Sequence, residues 1–155
     1  MLLRTHVLFG IFLALLFLEY VPRQFLFVVM VLIGVVVPDL DSTQSSYGRH
    51  LIFRPLQLFT KHRGVLHSLL MAVFFSLLLG VFYPAGSFGF FLGYASHLLL
   101  DSFTIEGIYP FWPIEYKCAG FVRTGGRSEE VLFFVLLFFI LLSFVFFLID
   151  AGLYI

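Results

Sequence analysis

The chain has 155 residues, of which 61% are hydrophobic and only 12% charged, and its mean hydropathy is +1.08. A soluble domain of this size cannot hide so much apolar surface, which excludes a water-soluble fold. Lys plus Arg and Asp plus Glu number nine each, so net charge says nothing about nucleic-acid or acidic partners; no nucleic-acid partner is expected of a membrane chain, and the single cysteine, Cys118, excludes an internal disulfide and any Cys-based zinc motif.

In chain order, apolar stretches occur at residues 7–18, 25–37, 64–84, 85–100 and 131–149. They predict an all-α, polytopic membrane bundle of about five hydrophobic helices, forming a single integral membrane domain over residues 1–155. The first two stretches are short and joined by Glu19-Tyr20-Val21-Pro22-Arg23, which makes them a helical hairpin returning to its own side. A secretory signal peptide is the alternative for residues 1–20, but the apolar run ends Phe17-Leu18-Glu19-Tyr20 with no small-residue cleavage site, so a retained helix is expected. The third and fifth stretches are long enough for a hydrocarbon core of ~30 Å, which takes about 20 helical residues. The fourth is slightly short and carries Ser96 and His97 within it.

Charge sets the orientation. With the N-terminus cytoplasmic, Arg4, Arg49, Arg54, Lys61, Arg63, Lys117, Arg123 and Arg127 all fall inside and only Arg23 falls outside. Between the second and third stretches, Ile52, Leu56 and Phe59 recur at helical spacing with Pro55 in the first turn, predicting a short interfacial helix. Residues 102–130, rich in turn formers and aromatics, predict an ordered cap over whatever site lies beneath. There Arg123 and Arg127 could hold a phosphate or face lipid head groups, and Glu129 or Glu130 could reach the site.

Ionisable residues are costly in a membrane, so their positions are informative. His6 opens the first stretch, and Pro38-Asp39-Leu40-Asp41-Ser42 closes the second. His62-Arg63-Gly64-Val65-Leu66-His67-Ser68 opens the third. His97 and Asp101, four residues apart, share one helix face near the end of the fourth. The orientation above puts all four helix ends at one membrane depth, on the cytoplasmic side. His50 has no partner at ligand spacing and is expected to be solvated.

Imidazoles mixed with carboxylates suit a divalent metal, Zn²⁺ foremost, with Mn²⁺ or Mg²⁺ as alternatives. His-x-x-x-Asp delivers two ligands to one ion, and Asp-x-Asp can bridge two ions or bind one while orienting a histidine. So many donors also allow a two-ion hydrolytic site.

Pro38-Asp39-Leu40-Asp41, His62-Arg63-Gly64-Val65-Leu66-His67-Ser68, Gly93-Tyr94-Ala95-Ser96-His97-Leu98-Leu99-Leu100-Asp101 and Trp112-Pro113 resemble, in order and spacing, the YdjM-like family. That family is described as inner-membrane metal-dependent hydrolases. The resemblance implies metal ligands at His6, Asp39, Asp41, His67, His97 and Asp101, with His62 and Arg63 at or beside the metal. The sequence departs from the family pattern at Ser42, where a histidine is frequent, and at Leu66, where threonine is usual. The segment His97-Leu98-Leu99-Leu100-Asp101 is also similar to the His-x-x-x-Asp helix of zinc-dependent phospholipases C and related single-strand nucleases.

The expected function is therefore a metal-dependent hydrolase of the inner membrane, with its site facing the cytoplasm and a lipid or small membrane-associated phosphoester as substrate. Asp39 or Asp41 is the expected general base and Arg63 the oxyanion partner. The alternative is a non-catalytic membrane protein, a metal or proton transporter or a regulator with a structural metal site.

Overall fold

The computed structural model describes residues 1–42, 48, 50–59 and 63–150. His62, expected beside the metal, lies outside the described residues, as do Lys61 and the side chains of Leu56 and Phe59 on the interfacial stripe. The fold is helical: α1 (Leu3–Phe17), α2 (Gln24–Val36), α3 (Arg54–Phe59), α4 (Leu69–Phe82), α5 (Pro84–Ser102) and α6 (Arg127–Asp150). Tighter 3-10 turns extend α1 over Leu18–Tyr20 and α2 over Val37–Asp41, and others precede α3 and α4.

Those extensions change the expected span lengths. Leu3–Tyr20, Gln24–Asp41 and Arg127–Phe147 are each long and apolar enough to cross a membrane. The first two, expected to be short, gain from the turns that continue them. The third stretch, expected to be long, shrinks to the 14 residues of α4, about 21 Å at 1.5 Å per residue. Ser68 is the reason. Its hydroxyl accepts from Met71 N–H at 3.3 Å as the N-cap of α4, leaving His67 in the separate turn Val65–His67.

The centre of the molecule is the packing of α2 on α5. A methyl group at Gly34 would run into the backbone of Phe90 and Tyr94, and one at Gly93 into the carbonyl of Val31. Gly89 meets the Phe27 carbonyl in the same way, so the two backbones approach as closely as small residues allow in membrane helices. Ala14 of α1 joins Phe27, Val31 and Val35 of α2 in one core cluster. Phe90, Tyr94 and Leu98 of α5 join Ala72 of α4 and Ile108 of the following loop in another. Helix α6 packs on α1, through contacts such as Phe12 with Phe139. It presents Phe134, Phe138, Phe144, Phe146 and Phe147 outward, as a lipid-facing helix does.

The loop between α5 and α6 is ordered, as expected, by bridges pairing Thr104 with Val122 and Ile108 with Cys118. Part of it borders α5, where Ala95, Leu98, Leu99, Phe103, Tyr116 and Phe121 help line a groove of about 640 Å³. Its first turn, Thr104 to Gly107, reaches Arg63 beside the cluster described next, and Val122 packs with Met1 and Leu100.

Candidate metal centre

Five helix ends or turns bring the scarce ionisable residues to one place. His97 sits one turn beyond Gly93, so the close α2–α5 approach carries its ring to the end of α2. There Nδ1 lies 2.7 Å from the carbonyl oxygen of Val35. A carbonyl can only accept, so Nδ1 carries the proton and Nε2 keeps its lone pair. Pro38 makes this carbonyl available. In the 3-10 register that Val37–Asp41 follows, the donor to Val35 would be the amide of residue 38, and proline has none.

The lone pair on His97 Nε2 points into the cluster. It stands 3.7 Å from Asp39 Oδ1 and 3.8 Å from Asp101 Oδ2. His67 Nε2 faces the same two carboxylates, at 3.9 Å and 3.7 Å. The other nitrogen of His67, Nδ1, faces Asp41 Oδ2 at 3.5 Å, so Asp41 stands behind His67 rather than across from it. The turn that holds His67 is tied to α5 by the Tyr94 hydroxyl, which donates to the Leu66 carbonyl at 2.6 Å. His6 stacks on His97 with 3.9 Å between ring centroids, and its Nε2 lies 3.2 Å from Asp101 Oδ1. The amino nitrogen of Met1 also lies against Asp101 Oδ1.

Two groups have ligand atoms close enough to share one ion: His6 with His97 and Asp101, and Asp39 with His67 and His97. The donors fit a metal. His97 Nε2 and His6 Nδ1 are buried without a hydrogen-bond partner, a loss of about 1–3 kcal/mol per group if nothing binds there. Tetrahedral ligands at ~2.0–2.1 Å from zinc lie roughly 3.3 Å apart, so the imidazole–carboxylate spacings of 3.7–3.9 Å would contract by about half an ångström, and the ligand atoms within each group all lie within 4.8 Å of one another. Asp39 is the most open of these groups, with 15% of its side chain exposed.

Arg63 borders the cluster with a left-handed backbone, φ 62°, a strained conformation for a side-chain-bearing residue. Its NH1 donates to Thr104 Oγ1 at 3.2 Å and to the Gly107 carbonyl at 3.0 Å, and its NH2 stands 3.8 Å from Asp101 Oδ2. Glu106 Oε2 lies 3.9 Å from NH1. The Glu106 carboxyl is held below its ordinary range, chiefly by its own backbone N–H and further by the Thr124 hydroxyl and Arg63.

Other candidates are placed elsewhere. Glu129 is buried, yet it serves as a clamp: Oε1 accepts from Leu2 N–H at 2.6 Å and the Thr5 hydroxyl at 2.7 Å, and Oε2 accepts from Gly125 N–H at 2.7 Å. Glu130, Arg123, Arg127 and His50 are exposed. The sequence reading missed Val35 and Thr104, and it quoted Tyr94 in a motif without giving it a role. Only the glycine series 86, 89 and 93 and Pro38 carried a readable hint of the first.

A buried His/Asp cluster gathered at one end of an apolar helical bundle defines a membrane protein with a candidate metal centre. The family model for the YdjM inner membrane protein matches residues 1–153, and the chain belongs to that family. It is 31% identical to YvsG of Bacillus subtilis (strain 168) over 106 residues, 64% of this chain and 66% of YvsG. It is 40% identical to the inner membrane protein YdjM of Escherichia coli (strain K12) over 93 residues, 52% of this chain and 46% of that protein. The YdjM of Shigella flexneri matches to the same extent. The matched segment thus spans about half to two thirds of these relatives. No solved structure matches the chain.

Proposed function

We propose that this inner-membrane protein is a divalent-metal-dependent hydrolase, acting from the cytoplasmic leaflet on a lipid or other membrane-associated phosphoester. The observation that carries the reading is His97: its tautomer is set by the Val35 carbonyl, and its free Nε2 is buried facing two carboxylates and a second imidazole. A second-row partner on the far nitrogen is the usual support of a metal-binding histidine. His67, with Asp41 behind it, repeats the pattern.

In this reading His67, His97 and Asp101 would hold one ion, Zn²⁺ foremost with Mn²⁺ or Mg²⁺ as substitutes, because Asp101 Oδ2 lies 3.7 Å from His67 Nε2 and 3.8 Å from His97 Nε2. A single ion suits the donors better than two, because His97 offers one lone pair and both candidate groups need it. When bound, the ion supplies Lewis acidity and lowers the pKa of a water. Asp39, on the open side, is the general base that would take a proton from the attacking water. Asp41 orients His67, and His6 holds Asp101 in place. Arg63 faces the charge that develops on the substrate.

The test is metal analysis of the purified chain beside Asp101→Ala and His97→Ala, with all three assayed on phospholipid and generic phosphoester substrates. The wild type should carry metal and turn over a phosphoester, and both variants should lose both. Equal metal content in all three would end the proposal. Metal in the wild type without turnover on any substrate would favour a regulator or transporter with a structural ion.

A further inference from the structure

Thr104 is fully buried and its hydroxyl is used to capacity. It donates to the Asp101 carbonyl at 2.7 Å and accepts from Gly107 N–H at 3.1 Å and from Arg63 NH1 at 3.2 Å. One hydroxyl has one proton and two lone pairs, so nothing more can bind it. This node ties three things together: the end of the helix bearing His97 and Asp101, the first turn of the following loop, and the guanidinium of Arg63. With NH1 pinned twice, the plane of the guanidinium is fixed. Its NH2 is aimed at Asp101 from 3.8 Å, too far for a hydrogen bond. Among the described residues NH2 has no hydrogen-bond acceptor, and the side chain is only 20% exposed.

A planar fork held rigid beside a metal cluster, with donors to spare, matches the oxygens of a phosphate. We propose that Arg63 forms a fixed anion subsite for the phosphoryl group of the substrate, and that Thr104 is the residue that positions it. The assignment rests on the hydrolase reading above, and it deepens that reading by naming the residues that would hold the phosphoryl group. Glu106 is the resident competitor. Its carboxylate lies 3.9 Å from NH1 and is 49% exposed, so it can swing away when a phosphate arrives.

The experiment measures orthophosphate affinity by calorimetry on the zinc-loaded full chain in maltoside micelles, with zinc content recorded for every variant. Thr104→Val keeps the shape and removes the node; it should weaken phosphate binding about tenfold, the effect of losing one hydrogen bond to a charged group, while zinc content holds. Thr104→Ser should restore the affinity. Glu106→Gln removes the competitor and should tighten phosphate binding. Displacement of orthophosphate by added phosphatidic acid would assign the subsite to a lipid head group, and displacement by glycerol phosphate alone would assign it to a soluble ester.

Unchanged phosphate affinity in Thr104→Val, or weaker binding in Glu106→Gln, would overturn the proposal. If Thr104→Val fails to fold, the serine and Glu106 variants decide it. Absence of zinc from the wild type would reject the hydrolase reading separately. Phosphate binding by that metal-free protein, with the same order among variants, would leave the Arg63 subsite standing.

Discussion

Two histidines in this protein are each held from behind, and the holder differs. His97 donates to a backbone carbonyl on another helix, whereas His67 has the carboxylate of Asp41 beside it. Loss of such outer partners typically weakens metal affinity about 10–100-fold. Asp41→Asn should therefore weaken zinc binding within that range, without the complete loss expected for His97→Ala. Pro38→Ala makes a finer test. It supplies the N–H that the Val35 carbonyl lacks, setting a backbone donor in competition with the imidazole. Zinc affinity, read by competition with a chromophoric chelator, should fall about tenfold. The pairing of His97 with Asp101 was legible because helical spacing alone puts them on one face. The tautomer was not, because its acceptor is 62 residues away in sequence and comes within reach only by packing.

At the scale of elements, the close approach of α2 and α5 governs where the ligands stand. Gly93→Ala pushes a methyl group into the Val31 carbonyl, and overpacking of this kind costs about 1–3 kcal/mol. Gly86→Ala meets mainly the Met30 and Tyr83 side chains at 3.0 Å and 3.1 Å, and the flexible Met30 can yield. Thermal unfolding in micelles should show a clear loss for the first and a smaller one for the second. Equal effects would mean that backbone contact does not set the spacing. Apolar runs made the helices themselves legible. Their ends were less so: Ser68 outcompetes Gly64 as the start of α4, and the turns after α1 and α2 lengthen those spans. Cap and 3-10 geometry depend on single hydrogen bonds that hydropathy does not register.

For the whole molecule, cation placement predicts a cytoplasmic N-terminus and an external C-terminus. An alkaline phosphatase reporter fused after α6 should be active and a fluorescent reporter there dark. The reverse pattern would put the His/Asp cluster on the outer face and remove the cytoplasmic-leaflet part of the proposed function. The convergence of four helix ends was legible from charge and hydropathy together, since both are averaged over many residues. The position of the loop after α5 was not. Its aromatics suit a lid and a lipid-facing flank equally, and Phe111, Tyr116 and Phe121 border a groove beside Leu98 and Leu99.

Glu129 gives this architecture a direction in time. Its carboxylate, in the first turn of α6, secures Leu2 and Thr5 and so the helix start that carries His6. During synthesis α6 emerges after every other helix described here. His6 thus waits, already in the membrane, for a partner the ribosome has yet to make, and its place beside Asp101 is secured only when the last helix arrives. A bundle assembled in that order gathers its other His and Asp residues first and steadies Asp101 last.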